Sequence, residues 1–157
     1  MQGNKKVLDA LNGLLADELT AINQYVVHGE MAENWGYGKL KKLVGGRAIT
    51  EMKHAEKLIE RILFLEGTPI VSKLNPIRIG ADIPKQFTHD LVAEMIAVKN
   101  YNKAIKVAMD AGDNATKELL ESILTDEDSH VDQIEEKMDQ IKQMGLQNFL
   151  AIQASGE

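Results

Sequence analysis

The chain has 157 residues, 44% hydrophobic and 27% charged, which suits a single domain over residues 1–157 with one buried core and is too apolar for a disordered chain. A formal net charge of -6 argues against a nucleic-acid partner, because sequence-blind phosphate binding depends on Lys and Arg displacing counterions. Cysteine is absent, which excludes disulfides, iron–sulfur clusters and thiolate-ligated haem, and no segment approaches the ~18 unbroken apolar residues of a membrane span. The sequence therefore reads as soluble and cytoplasmic, without a membrane partner.

Three prolines, 4% aromatics and abundant straight-chain residues favour helix over sheet, so the fold class is expected to be all-α. The first predicted helix fills residues 5 to 34: Asn4 caps it, Val7, Leu11, Leu15, Ile22 and Tyr25 keep helical spacing, and Asn34-Trp35-Gly36-Tyr37-Gly38 breaks it. The second runs from 39 to 66, with Gly67 expected in the left-handed position that ends a helix and Pro69 just beyond. The third begins at Asp82-Ile83-Pro84, where Asp caps and Pro fits the first turn, and ends at Gly112. The fourth spans 114 to 143 and stops at Gly145, and LQNFLAIQA forms a short fifth helix.

Connection lengths give the topology. The first two helices and the last two long helices are joined by short links, so each pair forms an antiparallel hairpin, whereas Gly67 to Ala81 is a long connection. A helix of about 28 residues is roughly 42 Å long, so that connection must travel along the bundle. A four-helix bundle with one long crossover and a short C-terminal helix is the ferritin-like arrangement.

Each long helix carries a Glu on its apolar stripe. The third shows it most plainly, with Phe87, Leu91, Glu94, Val98, Tyr101, Ile105 and Ala108 on one seam; the first has Leu11, Leu15, Glu18, Ile22 and Tyr25. The second supplies Leu43, Glu51, His54, Leu58, Ile62 and Leu65, and the fourth Leu120, Ile123, Glu127, His130, Ile134, Met138 and Ile141. Glu18 and Glu94, Tyr25 and Tyr101, Glu51 and Glu127, and His54 and His130 are all separated by 76 positions. The two hairpins therefore read as structural copies about a pseudo-twofold axis.

Four buried carboxylates would leave a charge of about -4, and burying even one unpaired carboxylate costs several kcal/mol. Protonation of all four needs strongly shifted pKa values, whereas two divalent cations neutralise the charge and also use the His nitrogens. A sulfur-free carboxylate and imidazole set suits Fe or Mn, with Zn a competitor. A single E-x-x-H on a helix is ordinarily a surface pair or a cap. Two copies on seam positions, each with a seam Glu 33 residues before it, point to metal. Tyr25 reads either as core packing or as a hydrogen-bond donor to a ligand, and Tyr101 as core packing. His28 and His89 have no partner at ligand spacing and are expected at the surface or an interface. The methionines read mostly as core or gap-filling.

These residues resemble those of the bacterioferritins, and the likeness runs essentially end to end, most specifically in LADELTAINQY, EMKHAEKLIERILFLEG and DEDSHVDQIE. The resemblance implies iron storage and detoxification by a ferroxidase, an Fe(II):oxygen oxidoreductase using O2 or peroxide (H2O2). It implies a di-iron centre held by Glu18, Glu51, His54, Glu94, Glu127 and His130, with Glu51 and Glu127 bridging. It further implies haem b ligated by Met52 across a subunit dimer, a homo-oligomeric cage of about two dozen subunits (a 24-mer) and a ferredoxin-type reductant. Gly46 and Thr50 stand where many relatives carry the His and Asp of an additional wall site, so that site is not carried over. Gly45, Val26 and Gln133 replace frequent aromatics, and Gly45-Gly46 weakens the second helix by roughly 1–2 kcal/mol relative to alanines. Local opening there is one expected route for iron. The alternatives are another di-iron or di-manganese peroxidase or catalase, and a helical interaction module without metal.

Overall fold

Five helices make up the described residues 1–154 of a computed structural model of the chain: α1 (Lys5–Asn34), α2 (Gly38–Phe64), α3 (Ile83–Asp110), α4 (Asn114–Met144) and α5 (Leu146–Ala154). The last three residues of the expected 1–157 domain lie outside the described residues. Side-chain caps set the starts. Asn4 Oδ1 accepts from the Lys6 and Val7 amides at 2.8 and 3.3 Å, Asp82 from Lys85 at 2.9 Å, and Asp113 from Thr116 at 3.0 Å.

α1, α2 and α3 end in the same paired hydrogen-bond motif, in which a left-handed residue lets two amides turn back onto the last turn. Gly36 (φ 82°) and Gly112 (φ 70°) serve α1 and α3. At the end of α2 the structure corrects the expectation for Gly67. Glu66 takes the left-handed position (φ 59°), and the Gly67 amide donates to Ile62 O at 2.9 Å. Gly67 instead leaves room for Leu8, whose Cδ2 would stand 2.5 Å from a Cβ there and would have to shift. The expected helix end at 66 is accordingly two residues long, since α2 stops at Phe64.

α1 packs on α2 and α3 on α4 as two hairpins, α1 lies against α3, and α2 contacts α4 and α5. The apolar stripes form two larger clusters and a small third one of Tyr25, Val44 and Ala48. Of the larger two, one gathers Val7, Leu11, Leu15, Leu58, Ile62, Tyr101, Leu120 and Ile123; the other gathers Ala32, Leu40, Ile83, Phe87, Ile134 and Phe149. The second is closed by α5, whose Phe149 meets Phe87 edge-on with centroids 6.2 Å apart. The polar seam positions fall between the two larger clusters along the helices.

The crossover has no secondary structure of its own, so its backbone groups need outside partners. One face of α1 supplies them at multiples of four residues. Asn12 accepts from Ile70 N (2.9 Å) and donates to Thr68 O (3.2 Å), Thr20 accepts from Asn75 N (2.9 Å), Gln24 from Arg78 N (3.1 Å) and His28 from Gly80 N (3.0 Å). This polar ladder fixes the crossover across the α1–α3 groove. Gly80 must be glycine, because a Cβ would lie 2.4 Å from the Gln86 amide.

Candidate metal centre

The two E-x-x-H turns face each other from α2 and α4, and α1 and α3 bring one Glu each to the same level. Ligand-capable atoms of Glu18, Glu51, His54 and Glu127 lie within 4.8 Å of one another, as do those of Glu51, Glu94, Glu127 and His130. Glu51 and Glu127 belong to both groups. No member of the set is more than 7% exposed.

The contacts obey the repeat. His54 Nδ1 lies 3.0 Å from Glu127 Oε1, and His130 Nδ1 lies 3.1 Å from Glu51 Oε1. Tyr101 Oη donates to Glu18 Oε1 at 2.6 Å, while Tyr25 Oη donates to Glu94 Oε1. Each repeat thus holds the other's ligand-capable groups, and both tyrosines do so, not Tyr25 alone. Despite these bonds, seven buried atoms at the centre have no hydrogen-bond partner: Glu18 Oε2, Glu51 Oε1, His54 Nδ1, Glu94 Oε2, both Glu127 oxygens and His130 Nδ1. Each such atom costs about 1–3 kcal/mol, more when charged. A donor set of hard carboxylates and imidazoles with unmet lone pairs fits two divalent cations sharing Glu51 and Glu127.

A ferritin-like domain matches residues 8–144. The chain is 42% identical to a bacterioferritin of Rhodobacter capsulatus over 99% of its own length and 96% of that protein's. It is 37% identical to a bacterioferritin of Mycolicibacterium paratuberculosis, with 96% and 95% covered, and 36% identical to one of Brucella melitensis, with 99% and 96% covered. The chain belongs to the bacterioferritin family.

Burial governs the charge of the carboxylates in this bacterioferritin. Burial pushes Glu18 up to about 7 and Glu51 up to about 8, with neighbouring carboxylate charge adding to the rise. Burial also raises Glu127 strongly, and its neighbour Glu94 raises it further. For Glu94 burial acts upward too, but the neighbouring His130 and Glu127 and the Tyr25 hydroxyl outweigh it and hold its pKa below the usual carboxylate value. His130 moves up to about 9, since Glu51 and Glu94 overcome the downward effect of burial. A cavity of about 360 Å³ between α1, α3 and the crossover reaches Glu18, Glu51, Glu94 and Glu127.

Outside the centre the bacterioferritin fold corrects one expectation. His28 is fully buried, not at a surface or interface. Its Nε2 accepts from Gly80 N, so its Nδ1 carries the proton and donates to Asp90 Oδ1 at 2.9 Å, an oxygen that also accepts from Gln24 at 2.8 Å. Spacing on the apolar stripe could not reveal this, because the crossover supplies the partner. His89 is half-buried beside the cavity, with Nδ1 3.2 Å from Arg78 O. Arg47, also unforeseen, is buried with its guanidinium 5.2 Å over the Tyr25 ring and 3.9 Å from Asp90 Oδ2.

Met52 is 47% exposed, turned about 100° around α2 from Glu51. It lines a groove with Ile22, Val26, Gly29, Gly45, Gly46 and Ile49. α2 is unbroken through Gly45 and Gly46, and a Cβ at either meets nothing within 4 Å, so no contact among the described residues requires glycine there. No helix among the described residues is long and apolar enough to cross a membrane.

Proposed function

We propose that this bacterioferritin stores and detoxifies iron as a ferroxidase, with Glu18, Glu51, His54, Glu94, Glu127 and His130 as the ligands of two iron ions. The seven buried, unpartnered ligand atoms carry this reading. Four carboxylates of formal charge about -4 match two ions of +4, and the imidazoles complete each set. Bound there, two Fe(II) supply two electrons, which reduce O2 to peroxide or peroxide to water and leave Fe(III) for storage.

The chain's own groups prepare that exchange. Tyr25 and Tyr101 hold one oxygen of Glu94 and Glu18 each and leave the other free for a cation. Glu51 and Glu127 are shared between the two positions. The protons held by Glu18, Glu51 and Glu127 are displaced as ions bind. The apolar clusters on either side limit water, and the cavity lets small reactants reach the carboxylates.

The whole chain, 1–157, acts as one domain and assembles in the cytoplasm into a homo-oligomeric cage of about 24 copies built from dimers. The residues of the Met52 groove would suit haem b: an exposed thioether is a soft donor, and the other lining groups are apolar or small except for Glu30, Lys41 and Lys42 at its edge. Haem so held would carry electrons from a ferredoxin-type reductant to release stored iron.

Stopped-flow iron oxidation tests the ligand set. Glu18→Ala and His130→Ala are expected to lose the fast phase while keeping the cage on size-exclusion chromatography. Undiminished fast oxidation in either would overturn the assignment. A peroxidase or catalase reading would require sustained peroxide turnover without iron uptake.

A further inference from the structure

Three cross-repeat contacts can be compared through the 76-position offset. Two are matched: Tyr101 to Glu18 against Tyr25 to Glu94, and His54 to Glu127 against His130 to Glu51. The third is not. His54 Nε2, on the side of the ring away from the centre, donates to Asp126 Oδ2 at 2.8 Å. The position corresponding to Asp126 is Thr50, whose hydroxyl turns back to Gly46 O at 3.2 Å. The carboxylates near His130, those of Glu51, Glu94 and Glu127, all face its Nδ1.

The difference has a direct chemical consequence. A carboxylate on Nε2 fixes the proton there, leaves the Nδ1 lone pair directed at the centre and holds the ring plane. His54 has all of this. His130 has none of it from the corresponding residue, and it is also the more exposed of the two, at 7% against 1%.

We infer that Asp126 is a positioning residue for His54 and that, because Thr50 cannot do the same for His130, the two metal positions bind unequally, the Glu18–His54 position more tightly. This rests on the six residues ligating metal as proposed above. Asp126 touches neither position, so it acts only through the imidazole. Its carboxylate is half exposed, so its replacement leaves the core intact.

Anaerobic titration of the full-length protein with Co(II), followed by visible absorption and calorimetry, tests the inference without turnover. The expected result for the unaltered protein is two separate steps of about one ion per chain. Asp126→Ala should weaken the tighter step by about 10–100-fold, with Asp126→Asn intermediate, and Thr50→Asp should strengthen the weaker step until the two merge. Two ions binding in one step, insensitive to both Asp126→Ala and Thr50→Asp, would overturn the inference and leave the ligand set standing. A third equivalent in Thr50→Asp, with the second step unchanged, would also overturn it. If Co(II) does not bind, or binds identically in Glu18→Ala, the ligand set itself fails.

Discussion

Tyr101 donates its hydroxyl proton to Glu18 across 2.6 Å, from the third helix to the first, and its repeat counterpart Tyr25 returns the same bond to Glu94. Each bond occupies one carboxylate oxygen and fixes the direction of the other. Tyr101→Phe is therefore expected to weaken Co(II) binding by about 10-fold or more, because partners of ligating groups carry that share of affinity. It should also lower metal-free stability by about 1–3 kcal/mol, since Glu18 Oε1 is left buried and unpartnered. Calorimetric titration and denaturant melts read the two effects separately.

The carboxylate shifts set a pH dependence whose sign is fixed. Glu18 and Glu51 are raised to about 7 and about 8, and His130 to about 9, so the metal-free native state holds more protons than the unfolded chain between about pH 4.5 and 9. The stability these groups lend is complete below that window and is lost as pH rises through it. Glu94, with a lowered pKa, acts oppositely and loses its contribution as pH falls below about 4.5. Chelator-treated protein should melt at a lower temperature at about pH 8.5 than at about pH 5.5. Added Co(II) should reverse the order, because binding releases those protons. A metal-free melting temperature flat across the window would contradict this account.

The ladder on α1 makes the crossover depend on single side chains. His28→Leu removes the acceptor for Gly80 N, which is left buried and unmet, and one of the two donors to Asp90 Oδ1, which keeps Gln24. The expected cost is about 1–3 kcal/mol, with amide exchange accelerated at Arg78 and Gly80 before the helix cores. Uniform exchange across the chain would show that the crossover is held by other contacts.

In the Met52 groove, Gly45→Ala and Gly46→Ala introduce methyl groups that meet nothing among the described residues. Each should stabilise haem-free protein by about 0.5–1 kcal/mol through helix propensity. Met52→Leu should abolish the Soret shift on haem titration, since leucine has no donor atom, while leaving Co(II) stoichiometry unchanged. A Soret spectrum unaltered in Met52→Leu would remove Met52 as the ligand.

Much of this was legible before any coordinates. Five helices, their approximate limits and the crossover follow from caps, glycines and connection lengths. The convergence of the six polar seam residues follows from a 76-position repeat laid on apolar stripes. What escaped has a common cause. Tyr101 shares its offset with Tyr25, yet a core tyrosine looks the same in sequence whether its hydroxyl meets a ligand or not. His28 pairs with a crossover residue whose path no periodicity encodes, although polar residues at four-residue steps from Thr20 to His28 were a usable signal. Glu66 took the left-handed turn beside an available glycine, which no spacing signal marks.

The central claim is that these six residues form one site for two irons. Anaerobic Fe(II) titration of metal-free protein, with a pulse of O2 or peroxide after each addition, measures it most directly. The account predicts that the fast oxidation amplitude saturates at about two Fe(II) per chain and disappears in Glu18→Ala. Saturation at one, or an amplitude that persists in Glu18→Ala, would contradict it.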